Sequence, residues 1–327
     1  MVEDLPGPDE LLAESFVLRL PMRTRFRGIT AREMIVFRGP AGWGEFGPFV
    51  EYGDVESAAW LAAGIESAYL GPPEQVRDRV AVNATVPAVD ADRVAEILAR
   101  YPGATTAKVK VAERGQTLAD DIARVDAARE VVPAVRVDAN GGWSVEQAID
   151  AIRAIGDVEY VEQPCATVPE LAAVRRAVDV PIAADESIRK ADDPYRVVAA
   201  DAADIAIVKV APLGGMRATL ELADTIGLPV VVSSALDSAV GMAAGVAAAA
   251  ALPRLDHACG LGTGSMFTDD VAEPFVPDGG LVEPRWFTGD LRPHAQSRAA
   301  SDRERWWRER LVRCHAVLAG GPAVRDA

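Results

Sequence analysis

Lysine is almost absent from this chain. Of its 34 basic residues only four are lysines, Lys108, Lys110, Lys190 and Lys209, and the rest are arginines. Histidine and cysteine number three each. Cys165, Cys259 and Cys314 are odd in number and far apart, which excludes a disulfide framework or a clustered zinc site and fits reduced thiols in a cytoplasm. His257, His294 and His315 form no cluster either. A membrane-length apolar run is also missing. The longest, AVGMAAGVAAAAALP, has fifteen residues, is alanine-rich and ends at a proline, so it reads as a buried helix. The acidic start MVEDLPGPDELLAESF lacks the basic and apolar stretches of a signal peptide, and a cytoplasmic location is expected. Positive charge is in deficit, with a net charge of -15, which argues against nucleic acid or an anionic membrane as partner. A small anion bound in a locally positive pocket remains compatible. Oligomeric state is left open, a monomer included.

What is present is a rhythm. The 327 residues suffice for about two domains, or one large barrel with an appendage. From about residue 80, strand-like runs alternate with helical ones: VAVNATV, TTAKVKV, AVRVDAN, EYVEQP, PIAADES, DIAIVKVAP, PVVVSSAL and HACGLGT, with amphipathic stretches between. Such alternation predicts a parallel sheet. Eight strands at about 24 residues per unit predict closure into a barrel, with functional groups at the C-terminal strand ends. Residues before 80 read as a separate α+β lobe. After the last strand, a loop-rich stretch returns toward that lobe, and SDRERWWRERLVRCHAVL makes a terminal amphipathic helix. The expected division is therefore 1–79, 80–264 and 265–327, the last ending in a frayed tail.

The lysine scarcity gives meaning to AKVKV. In a strand the side-chain period is two, so Lys108 and Lys110 share one face and the valines take the other. Outward lysines can protect an edge strand, but a chain whose ordinary surface cation is arginine has little reason to choose lysine twice for that. Arginine stays protonated in proteins, whereas a crowded lysine can give up its proton. The pair therefore points to proton transfer. Further along, the third strand ends in Asp138, the fourth in Glu162 and the fifth in Asp185, 24 and 23 residues apart, one per βα unit. Lys209 sits on the sixth strand. Period two puts Ala183 and Asp185 on one face and turns Glu186 away. Three converging carboxylates without His or Cys suit a hard oxygen-loving cation, Mg²⁺ with Mn²⁺ as a substitute. Arg136 faces the same side, either as a strut for the carboxylates or as a substrate contact. Asn140 lies just beyond Asp138. Ser233 and Ser234 can add hydroxyl donors, and the backbone of Gly260, Leu261 and Gly262 can receive a carboxylate or phosphate. His257 opens the last strand at its N-terminal end and reads as structural, and Cys165 as packing.

The ordered set KVK, DAN, VEQP, ADES and VKV resembles the enolase superfamily, in its muconate lactonizing enzyme-like subgroup. The resemblance implies an α/β fold, a modified TIM barrel, (β/α)₇β, with an N-terminal α+β capping domain. It implies metal ligation by Asp138, Glu162 and Asp185, acid–base roles for Lys110 and Lys209, and Lys108 as the first lysine of the pair. The implied chemistry is Mg²⁺-assisted removal of a proton α to a carboxylate. Modest length, a small cap, the RVD around Arg136 and the GLGT ending favour a dehydrating member whose substrate is a cyclohexadiene carboxylate with a succinyl arm, a small carboxylate-bearing anion of menaquinone biosynthesis. Racemisation of N-acylamino acids and epimerisation of dipeptides use the same lysines. A catalytically silent barrel that serves in binding is the reading from another class.

Overall fold

The computed structural model describes residues 5–188 and 193–320. Lys190 and the expected frayed tail from residue 321 lie outside the described residues.

The N-terminal segment begins with helix α1 (Pro8–Ala13) and an antiparallel sheet of β1 (Ser15–Phe26), β2 (Ile29–Gly39) and β3 (Gly42–Phe46), in that order. Between β1 and β2 the chain reverses at Arg27 and Gly28, with φ of 50° and 79°. A two-residue turn with both centres left-handed matches the natural twist of the strands it joins. Helix α2 (Asp54–Leu70) then packs on this sheet. It comes so close that a Cβ on Gly44 would stand 2.0 Å from the carbonyl oxygen of Gly64.

The barrel follows in chain order: β4 (Val80–Ala81), β5 (Ala84–Val86), α3 (Val94–Leu98), β6 (Thr106–Lys110), α4 (Leu118–Arg129), β7 (Ala134–Asp138), α5 (Val145–Ile155), β8 (Val161–Glu162), α6 (Val168–Arg175), β9 (Ile182–Ala184), α7 (Asp193–Ala199), β10 (Ile205–Val208), α8 (Val210–Leu213), α9 (Met216–Thr225), β11 (Val230–Val232) and α10 (Ala239–Ala251). Strands β5 to β11 pair side by side in sequence order, all parallel. Local signals fix the helix starts. Thr117 and Asp120 form a capping box on α4, and Ser144 and Gln147 form one on α5.

Two expected strands differ. The run at 257–263 is reduced to single bridges, Cys259 with Val82 and Gly260 with Ser233, which close the curl between first and last strands. Glycines at 260, 262 and 264 weaken a longer ladder, and the chain turns at once into the 3-10 segment Thr263–Met266. The first barrel strand is split. Its outer piece β4 pairs antiparallel with β12 (Leu281–Val282) from the C-terminal return, while β5 joins the barrel.

Alternation sorts the side chains. Val109, Val137, Val161, Ile182, Ala206, Val208 and Val232 face the helices in the large core. Tyr160, Ala183, Ile205, Ile207 and Val231 form a small separate cluster on the other face, the barrel interior. A third core lies in the cap and includes Leu18, Met34, Phe46 and Trp60. Helix α11 (Ser301–Ala319) covers it with Trp307, Leu311 and Cys314. The cap is also tied to the barrel by charge. Glu66 on α2 accepts from the amides of Met216 (3.1 Å) and Arg217 (3.2 Å) at the start of α9 and from the Arg217 guanidinium (3.0 Å), a favourable place for an anion. Among the described residues no helix is long and apolar enough to cross a membrane.

Ile182 tests the outer core. It is fully buried on β9, so Ile182→Ala is expected to cost about 2–5 kcal/mol of stability, read as a lower urea midpoint. An unchanged midpoint would mean that this wall does not carry the barrel.

Candidate active site

Register brings the charged residues together. Lys110 pairs with Asp138 across β6–β7, Asp138 with Glu162 across β7–β8, and Glu162 with Ala183 across β8–β9. Asp185 follows the end of β9 and Lys209 the end of β10. All six ionisable side chains, with Lys108, are buried. Lys108 Nζ donates to Glu162 (2.6 Å) and lies 3.4 Å from Asp138. Lys110 donates to Asp138 and, at 2.6 Å, to Asn140 Oδ1. Lys209 donates to Asp185. Three anions and three cations thus neutralise one another at the C-terminal rim.

The balance is uneven within the set. Burial lowers the affinity of Lys108 for its proton, but the Glu162 and Asp138 charges outweigh it and hold the ammonium above its ordinary range. Burial pushes Asp138 up, yet Lys110 and Lys108 overcome it and keep the carboxyl below the usual range. For Glu162 burial dominates. Together with the Asp138 charge it pushes the carboxyl up to about 8 against the pull of Lys108. Its second oxygen, Oε2, is buried with no hydrogen-bond partner. A buried carboxylate oxygen without a partner is costly, and a dication would satisfy it. Among the described residues no three His, Cys, Asp or Glu side chains stand close enough to hold a metal as they are placed, because each carboxylate is engaged by an ammonium. Donor type and the orphaned oxygen nonetheless fit a hard cation.

Two residues stiffen the rim. Asn140 adopts φ of 46°; its amide donates to Asp138 Oδ1 (3.0 Å) and its Nδ2 to Glu186 (3.2 Å). Gln163, at φ of 40°, is buried and fully engaged. Its Nε2 donates to Cys165 O and Ser187 Oγ, and its Oε1 accepts from the amides of Asp185 and Ser187. It thereby ties the end of β8 to the turn that presents Asp185. In the sequence Gln163 is simply the third residue of VEQP, and residue type alone gives it no role.

The remaining expected residues divide. Ser233, Ser234 and Gly260 line the cavity with the lysines. Ser234 shares a hydrogen bond with Thr263, and a Cβ at Gly260 would lie 2.5 Å from Ser233 Oγ. Arg136, Leu261 and Gly262 are not among the residues that line the cavity. Arg136 is spent on Glu159 (3.0 and 2.6 Å), the Tyr160 hydroxyl (2.8 Å) and Ala258 O (2.8 Å), beneath the rim, so its ion pair is with Glu159 and not with any of the three rim carboxylates. Leu261 is a core side chain. Gly262 backs onto Asn83 O and the Tyr101 ring. The amide of Gly260 donates to Val232 O (2.8 Å) as part of barrel closure, so it is not a free anion donor. His257, with Nδ1 2.7 Å from Glu159, belongs to the Arg136 network.

Thr85, Ala235, Leu236 and Thr263, which the sequence did not single out, also line the cavity, and so do Phe26 and Arg27 from the segment RTRFRGIT, a cap loop that the family resemblance implicates in specificity. Phe26 and Arg27 arrive on the β1–β2 turn, and Lys110 Nζ stands 5.2 Å from the Phe26 ring centroid. Arg27 lies 4.5 Å over Phe49, which also takes Arg32 at 4.2 Å. The polar alternation of Asn83 and Thr85 in VAVNATV was an available signal for an inward face.

Comparison with known proteins gives two family matches. Residues 90–286 match the enolase C-terminal domain-like family and residues 17–68 the enolase N-terminal domain-like family. The chain is 60% identical over 321 residues to an o-succinylbenzoate synthase of Mycolicibacterium smegmatis, covering 97% of this chain and 100% of that protein. It is 62% identical over 322 residues to one from Mycobacterium tuberculosis, covering 97% and 98%. Among solved structures, the muconate lactonizing enzyme of Pseudomonas fluorescens complexed with muconolactone aligns with a TM-score of 0.73 at 23% identity, covering 86% of this chain and 95% of that one. A dipeptide epimerase from Enterococcus faecalis aligns at 0.69 and 21%, covering 84% and 97%. At these identities the structures speak to fold alone.

The buried pair offers a direct test. Lys108→Met removes the cation from Glu162 and should cost about 3–5 kcal/mol in metal-free protein. Glu162→Gln added to it should recover part of that loss. Denaturant titrations of the two single variants and the double variant measure the coupling. Additive effects would mean that the two charges do not depend on each other.

Proposed function

The chain belongs to the enolase superfamily, and from that premise we infer that it is an o-succinylbenzoate synthase, a hydro-lyase. The observation that carries the reading is the full set of three lysines and three carboxylates at one barrel rim, in a chain 60–62% identical to such synthases along nearly all its length. The substrate is then 2-succinyl-6-hydroxy-2,4-cyclohexadiene-1-carboxylate and the product 2-succinylbenzoate. The step belongs to menaquinone biosynthesis and takes place in the cytoplasm. The three lysines of the rim, with Arg27 beside them in the cavity lining, offer local positive charge to this small, doubly anionic substrate in a protein of net charge -15.

Asp138, Glu162 and Asp185 are the residues that would hold Mg²⁺, or Mn²⁺ in its place. When bound, such an ion stabilises the negative charge that develops on the substrate carboxylate. Lys110 is the base. Its Nζ, poised between Asp138 and Asn140, takes the proton α to the carboxylate. The C–H electron pair becomes a ring double bond as the neighbouring C–O bond breaks. Lys110 returns its proton to the departing hydroxide, water leaves, and the ring is aromatic. Lys108 has a different task. Held protonated by Glu162 and Asp138, it is a fixed cation rather than a proton carrier. Lys209 approaches from β10, on the far side of the carboxylate-bearing strands from β6, and remains a cation held by Asp185.

EDTA is expected to abolish dehydration, and Mg²⁺ or Mn²⁺ to restore it. Full activity in metal-stripped protein would remove the metal from the reading. Lys110→Arg keeps the charge but cannot exchange the proton, so kcat should fall at least 10²–10⁴-fold. Lys209→Arg should retain measurable dehydration. If both substitutions were equally destructive, and purified protein exchanged the α-hydrogen of an N-succinylamino acid with solvent deuterium faster than it dehydrated the diene, racemisation would be the main activity instead.

A further inference from the structure

One wall of the cavity is a loop that the barrel holds only at its start, where the Ser233 amide donates to Val208 O (2.8 Å) and the Ser234 amide to Gly260 O (3.0 Å). Residues 233–238 link β11 to α10, and Ser233, Ser234, Ala235 and Leu236 face the cavity beside Lys209. Leu236 adopts φ of 61°, a left-handed conformation that is unfavourable for a residue with a side chain and persists only where the surroundings enforce it. Those surroundings belong to the cap. Ala235, Leu236 and Val240 pack in the cap core with Phe46 and Trp60, not in the barrel core.

A buried carboxylate completes the hold. Glu45, on β3, reaches the start of α10, where it accepts from the Ser238 amide (3.0 Å), the Ser238 hydroxyl and the Gly241 amide (3.3 Å). Within the loop, Asp237 Oδ2 accepts from the Ala235 amide (3.0 Å). On the other side, Asp270 accepts from the Ala239 amide with both oxygens (3.1 and 3.0 Å). Burial and the Asp237 charge push Glu45 up to about 8, against the opposing pull of the buried Arg32 guanidinium, whose own hydrogen bonds go to Glu33 O and Gly47 O. Gly241 is bare for a reason visible here, since a Cβ would stand 2.7 Å from Glu45 Oε1. The contact therefore excludes a side chain from a helix position where one would ordinarily help.

We propose that Glu45 is a positioning residue, a cap carboxylate that fixes the 233–238 wall and through it the seat of the substrate against Lys209. It touches no reacting atom. The proposal rests on the synthase reading for its kinetic consequence but not for its structural one. A displaced wall misplaces the substrate, and a shift of about 1 Å near reacting groups lowers rates about 10²-fold.

The experiment has two arms. Hydrogen exchange followed by mass spectrometry, on unliganded full-length protein, should show peptide 233–241 exchanging faster in Glu45→Ala than in wild type, with peptides from β6 to β8 unchanged. Steady-state dehydration by the folded variant should show kcat/KM reduced at least tenfold, with KM raised as well as kcat lowered. Glu45→Gln, which keeps one acceptor oxygen, should recover most of that loss. If Glu45→Ala fails to fold, Gly241→Ala decides. A methyl there would meet both Glu45 Oε1 (2.7 Å) and the Asp237 Cβ of the loop (2.8 Å), so the proposal predicts faster exchange in 233–241 together with a tenfold loss in kcat/KM. Unchanged exchange in 233–241, or faster exchange with unchanged kcat/KM, or a fully active Gly241→Ala would each overturn the proposal. Wild-type protein that never dehydrates the diene would sink the synthase reading alone, and the exchange arm would still decide whether Glu45 holds the wall.

Discussion

Mutual neutralisation of three buried carboxylates and three buried ammonium groups is the constraint around which this structure is built. An isolated charge in such a place is strongly unfavourable. The groups can coexist only if each is within reach of an opposite charge, and that demands accurate placement. Asp138, Glu162 and Asp185 come from three successive strands, and Lys110 and Lys209 from the strands on either side. Any slip of register would send these side chains into the valine-rich outer core. Identical side chains therefore set the chemistry and the permitted strand alignment together. The partnerless oxygen of Glu162 is the point at which neutralisation by lysine alone falls short.

The cap matters because an open barrel rim would leave these charges in water, where their interactions are weak. It covers the rim through a few defined contacts. The β1–β2 turn supplies Phe26 and Arg27. Phe49 receives the Arg27 guanidinium, and the loop carrying Phe49 is braced from the far end of the chain. Buried Arg310 on α11 donates to Phe49 O (3.0 Å), Tyr52 O (2.7 Å) and Ser57 Oγ (2.8 Å). Glu66 and Glu45 dock the cap on the starts of α9 and α10, the helices that follow β10 and β11. Cap and barrel are thus joined on the Lys209 side of the cavity, opposite the strand that carries Lys108 and Lys110.

Much of this was legible in the sequence. The βα rhythm has a period, and period converts directly into a parallel barrel. Lys108, Lys110, Asp138, Glu162 and Asp185 could be placed on one rim because each ends an apolar run, and because side chains alternate strictly along a strand. Ser144, a residue type that favours helix starts, stands just before the periodic run that forms α5 and caps it. The weak points are equally physical. Arg136 has the right face but sits one layer too deep, and facing alone cannot distinguish a rim residue from one beneath it. At 260–262 the glycines suggested a free anion cradle, yet the Gly260 amide is consumed in closing the barrel, and Leu261 and Gly262 are not among the residues that line the cavity.

The sequence by itself determined the architecture, the rim chemistry and the alternation that separates reactive face from core, because these depend on local periodicity and on residue type. Tertiary structure alone decided what meets those residues from elsewhere in the chain. No spacing in the sequence relates Glu45 to Ser238, Arg27 to Phe49 or Arg310 to the loop at 49–57. Those contacts join segments up to 261 residues apart, and they exist only because two hydrophobic cores, each specified by its own pattern, pack in one orientation. Long-range docking carries no period, so the specificity wall and its supports became visible only in the folded chain.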